Sequence, residues 1–154
     1  MKRRITGVIA IAWALVLGPG TAAASAAPPE QRTVTWTLTA DQCPNLPYGT
    51  TVTGSGTLSE VQGGRVSVEH ATGTATDQAG NLYHWSYSFR AVSRPGKSEQ
   101  LWVDHFVLAG AGPARLNNGF VAVANAAGTA ITDVTHEFGN PIDFKTITAI
   151  CDPL

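Results

Sequence analysis

The chain is poor in charge. Asp, Glu, Lys and Arg make up only 14% of its 154 residues. Beyond Lys2, Arg3 and Arg4 no run of like charge occurs. With those three set aside, seven cationic side chains face eleven carboxylates, a net of −4. Such a chain has no basic patch for nucleic acid or for an anionic membrane, which excludes both as partners. Cysteine is scarcer still, at Cys43 and Cys151 alone. There is no C-x-x-C, H-E-x-x-H, G-x-S-x-G, Walker loop or G-x-G-x-x-G, so no metal, nucleotide or other cofactor is implied. No segment repeats apolar residues at i, i+3, i+4 and i+7 over three turns, which excludes an amphipathic helix.

One hydrophobic run exists, from Ile5 to Leu17, too short to span a bilayer comfortably. It follows the charged Lys2, Arg3 and Arg4 and ends in a small-residue tail, so residues 1–26 read as a secretory signal peptide. Ala26 is the expected cleavage position, with Ala24 as its rival. Residues 27–154 then form one domain of a secreted, extracellular protein, with no membrane contact once the signal is removed. In that oxidising setting the two cysteines read as a Cys43–Cys151 disulfide. A bridge closing about 108 residues stabilises by roughly 4–5 kcal/mol in the chain-entropy account.

What is abundant is alternation broken by turns. Turn signals at 45–49, 63–64, 77–81, 94–97, 117–119, 125–128 and 139–141 separate runs of Thr, Val and aromatics. Strands are predicted near 33–40, 50–60, 65–76, 81–92, 99–109, 119–125, 129–138 and 143–150. About eight short strands with short connections predict an all-β fold. A single antiparallel up-and-down barrel is favoured because closure removes exposed edges; a β-sandwich is the alternative. Val34, Trp36 and Leu38 face inward, and the Thr33, Thr35, Thr37 and Thr39 row faces solvent. Gly54 and Gly56, on the buried side of their strand, signal a bend or a close approach.

The stretch NLYHWSYSFR (81–90) places Tyr83, Trp85, Tyr87 and Phe89 on one face. Paired as a hairpin with 99–109 through Pro95-Gly96, the register that buries no acid sets Trp85 opposite His105. The same pattern puts His70, His105 and His136 on apolar faces beside Val66, Val68, Val103, Val107, Val134 and Phe138. A four-ring face with inward imidazoles suits a cavity that holds a small apolar or aromatic molecule, although the same rings also suit a plain core. In this register Trp102, Phe106 and Leu108 point outward. They need a cover: the 110–118 segment, the N-terminal tail, a protein partner or a second copy in a homodimer.

The stretches ATGTATDQAGNLYHWSYSF (71–89) and ITDVTHEFG (131–139) resemble segments of uncharacterised small exported β proteins of high-GC Gram-positive bacteria. That resemblance implies export and no particular activity. The general plan is similar to small eight-stranded antiparallel barrels of the lipocalin or allene oxide cyclase type, without a motif of either, and architecture leaves function open. Three functions follow as expectations. The first is a secreted barrel binding a small apolar or aromatic molecule. The second is an interaction or inhibitor module using the Trp102, Phe106 and Leu108 face. The third is a small cyclase, isomerase or hydrolase using interior histidines.

Overall fold

The computed structural model describes residues 29–139, 142–143, 148–149, 151 and 153–154. The proposed signal peptide lies outside them. The described residues contain no helix, and none therefore that is long and apolar enough to cross a membrane. Seven strands, β1 (Glu30–Thr39), β2 (Thr51–Gly63), β3 (Val66–Asp77), β4 (Leu82–Ser93), β5 (Glu99–Gly110), β6 (Leu116–Asn125) and β7 (Ile131–Phe138), form one antiparallel sheet in sequence order. A separate two-stranded ladder pairs β8 (Ile142–Asp143) with β9 (Thr148–Ala149), where one continuous strand was expected. The up-and-down order is as the short turns require. The sheet is not closed among the described residues: β1 and β7 are its edges.

The sheet nevertheless curls. Side by side, strands are about 4.8 Å apart, so β1 and β5 would lie roughly 19 Å apart in a flat sheet. Yet the Trp36 ring on β1 lies 5.7 Å from Phe106 on β5 and 5.6 Å from Trp85 on β4, edge-on to both. Curling brings the concave face together over these rings. Glycine makes room for them: a Cβ at Gly54 would overlap the Trp36 indole, and one at Gly56 or Gly73 would overlap Trp85. The close approach signalled by Gly54 and Gly56 is therefore made by the protein's own indoles. The Trp85 N–H is shared between the carbonyls of Ser55 and Thr74, at 3.2 and 3.1 Å. Val34, Trp36, Leu38, Val52, Leu58, Tyr83, Trp85, Tyr87, Phe106 and Leu108 make up this core.

The β4–β5 register differs from the expected one. Trp85 lies opposite Leu108, Tyr87 opposite Phe106, Phe89 opposite Asp104, and Tyr83 opposite Gly110. Phe106 and Leu108 are therefore core residues, and Trp102 is half-buried against Phe89 with ring centroids 5.5 Å apart. The proposed outward Trp102, Phe106 and Leu108 surface does not form. In this register Gly110 lies opposite Tyr83, whose ring packs where a Cβ on Gly110 would stand.

Two ties, one of hydrogen bonds and one covalent, hold one end of the sheet. The Asp77 carboxylate accepts hydrogen bonds from the amides of Ala79 and Asn81, from Asn81 Nδ2 and from the Tyr83 hydroxyl, all at 2.8–2.9 Å. At the same end, the Cys43–Cys151 disulfide forms as expected, with a Cα–Cα distance of 4.7 Å. It joins the β1–β2 loop to the C-terminal segment, and Asn118 Nδ2 on β6 donates to the Cys151 carbonyl at 3.2 Å.

Gly54→Ala, which adds one methyl group against the Trp36 indole, is expected to cost about 1–3 kcal/mol in urea unfolding. An unchanged midpoint would mean that the indole is not confined there. Asp77 has a second signature. The Asn81 side-chain hydrogen bond leads the causes that hold its pKa below the ordinary value, outweighing burial, which pushes it up. A depressed carboxylate stabilises fully above about pH 4 and loses that contribution as the pH falls through the lower folded value. Asp77→Asn should therefore lower the urea midpoint at neutral pH and converge with the unaltered protein as the pH falls through the lowered folded value. Parallel pH profiles would contradict this assignment.

Candidate functional site

The concave interior is occupied by the chain's own rings. Tyr83, Trp85 and Tyr87 are buried, and Phe89 is half-buried against the core. Burial raises the Tyr83 pKa, and its bond to Asp77 adds to the rise. Tyr83 is thus a structural donor on an acid, with Ala114 N–H approaching its oxygen at 3.4 Å. The aromatic residues expected to line a cavity are brought together, but as a packed core.

The expected inward histidines lie on the other face. His70 pairs with Ser88, Ser88 with His105, and His136 with Val121, all at convex positions. His70 and His136 are exposed and His105 is half-buried. In β3 the concave positions are Ala71, Gly73 and Ala75. Small residues there lie beneath the large rings of β4, and Val66 and Val68 are left outside. In β5 the register places Leu101, Val103, His105 and Val107 outward.

Two cross-strand rows result on the convex face. One runs Val61, Val68, Arg90, Val103, Val121, His136. The next runs Ser59, His70, Ser88, His105, Gly119, Phe138 through the same ladders. Val61 is 43% exposed, Val103 39%, Val68 37% and Phe138 37%. The Phe138 ring lies between two imidazoles, 5.4 Å from His105 and 5.9 Å from His136. His105 Nε2 and Asn117 Oδ1 are 2.8 Å apart, so that a ring N–H donating there fixes the imidazole beside Phe138. Neither row carries a carboxylate. The opposite end of the same face is hydroxyl-rich, with Thr35, Thr37, Thr53, Thr72, Thr74 and Thr76 all exposed.

Carboxylates gather on the concave side instead. Glu30, Glu60, Glu69, Phe89, Asp104, Phe120 and Glu137 occupy one cross-strand row. Like charges on directly opposed positions are unfavourable. Along the β1 edge, an open-sided groove of about 400 Å³ is lined by residues 32–35, Leu58, Glu69, Pro153 and Leu154.

No protein-family model, curated protein or solved structure matches the chain. The site is therefore read from its own geometry. Among the described residues no cluster of His, Cys, Asp and Glu is spaced to hold a metal ion. Glu69 and Arg32 in the groove, and the Val61 to Phe138 surface, were not singled out from the sequence. The first needed the β1–β2–β3 register, and the second needed knowledge of which face the small residues of β3 occupy.

Burial pushes the Glu69 carboxyl up, the Glu60 carboxylate pushes it further, and the Arg32 guanidinium partly offsets both. The folded protein therefore holds this proton more tightly than the unfolded chain, and stability falls as the pH rises from about 4.3 through the folded value. Glu69→Gln should raise the Tm at pH 7 by about 1–3 °C. The gain should vanish near pH 4, where the native carboxyl is protonated. A lower Tm at pH 7 would show that Glu69 is held by a favourable partner instead.

Proposed function

We propose that the protein is an exported, disulfide-stapled docking module that binds a protein partner on its convex face, through Val61, Val68, Val103, Val121 and Phe138 with His105 and His136. The observation that carries this reading is the row of exposed valines on neighbouring strands, next to an interior filled by Trp36, Trp85, Tyr87 and Phe106. Apolar side chains aligned on one exposed sheet face and set apart from the hydroxyl-rich end mark an interaction surface. Arg90 sits within the valine row and no carboxylate accompanies it, so the complementary surface is apolar with an acidic rim. The interaction module expected from the sequence is thus retained, with the opposite face of β5 as its surface. The packed interior favours it over a small-molecule carrier, and the position of the histidines on the outer face, in rows without a carboxylate, favours it over acid–base catalysis.

A photo-activated cross-linking residue placed at 103 or 121, in the cells that export the protein, is expected to capture one protein species reproducibly. The same probe at 53 or 74, on the hydroxyl-rich end, should not. Val103→Asp should reduce capture from position 121 about tenfold, while the stability stays within about 0.5 kcal/mol, as for other exposed substitutions. Equal labelling from all four positions, or none from any, would overturn the proposal.

A further inference from the structure

Among the described residues, the two edge strands of the sheet are built differently. At β7 the ladder shifts register twice, between Val121 and Ala122 and between Val123 and Ala124. Irregularities of this kind keep an edge from pairing with another chain. The β1 edge carries no such guard. Its ten residues pair with β2 without a shift, and it contains neither Pro nor Lys. Among the described residues no backbone bond reaches its outer side between Glu30 and Leu38.

The groove runs along this edge. Four consecutive β1 residues, 32–35, form one wall, and Pro153 and Leu154 stand on the other. Val34 and Leu58 supply apolar lining. Glu69 lines the groove, and Glu60 and Glu30 follow it across the ladder, against the single cation of Arg32. A basic side chain complements that balance.

We propose that the β1 edge binds an extended peptide segment of a partner protein as an added strand, with a β-branched side chain over Val34 and Leu58 and a Lys or Arg directed to Glu69. Main-chain hydrogen bonds to a free edge supply affinity in this mode, and alternate side chains supply specificity. This goes beyond the convex-face reading and uses a different surface, so either can fail alone.

The test begins with short random peptides displayed on phage and selected against the mature protein. Enriched sequences should alternate β-branched residues and carry at least one Lys or Arg. The synthetic peptide should slow amide exchange in residues 32–38 and leave Val103 and Val121 unchanged. N-methylation of the nitrogens along one edge of the peptide should weaken binding about tenfold or more, while methylation along the other edge is tolerated. Glu69→Lys should weaken it by a similar factor, and Glu137→Lys, in the same row on the far edge, should not. The N-methyl comparison alters only the peptide, so it stands even if Glu69→Lys folds poorly. Four results would overturn the proposal: no enrichment, indifference to N-methylation on either edge, protection of Val103 and Val121 instead of β1, or light scattering showing a dimer whose β1 amides are already protected.

Discussion

The fold depends on the fit of two indoles against glycine backbone. Trp36 and Trp85 lie 5.6 Å apart, edge to face, over positions where Gly54, Gly56 and Gly73 offer no side chain. Interiors pack at the density of organic crystals, so rings of this size on a concave surface need backbone to withdraw beneath them. The curl follows, because β1 must close over β5 for Trp36 to reach Phe106. The composition of the outer surface also follows. With rings filling the inside and alanine and glycine beneath them, the valines of β3 and β5 lie on the outer face.

Much of this was legible in the sequence. The period of two placed Val34, Trp36 and Leu38 inward and the threonines of β1 outward, and both are so. The expected strands match β1 to β7 to within a few residues, although the turn expected at 117–119 lies inside β6. Alternation failed where it carried no contrast. β5 is apolar on both faces, so pattern alone could not choose its register, and avoiding a buried acid favoured the wrong one. Asp104 is in fact buried, within a row of carboxylates and phenylalanines at one end of the concave face. In β3 hydrophobicity pointed the wrong way, since Val66 and Val68 are more apolar than the Ala71 and Ala75 that the core requires. The misplacement of His70 and His105 follows directly from those two strands.

The resulting molecule has surfaces of distinct chemistry. The convex face divides into a hydroxyl-rich end and a valine end with three imidazoles and Arg90. The concave face divides into an aromatic end and an acidic end. The carboxylate row is a local conflict, with Glu60 and Glu69 side by side and burial pushing the Glu69 pKa up. Natural chains keep such conflicts mainly where a function requires them. The ladder is likewise uneven, irregular at β7 and regular at β1.

The disulfide links positions 108 apart in sequence and brings the β1–β2 loop to the C-terminal segment, where Asn118 of β6 holds the Cys151 carbonyl. In an open sheet that covalent link takes the place of a closing ladder, and its timing matters. Each neighbouring pair of strands forms from local contacts as the chain emerges, but the link waits for Cys151. Until then the growing meander lacks the link between the β1–β2 loop and the C-terminal segment. Long-range closures of this kind slow the completion of folding and prolong the exposure of sheet edges. The regular margin at β1 is therefore where a half-made molecule is most prone to self-association.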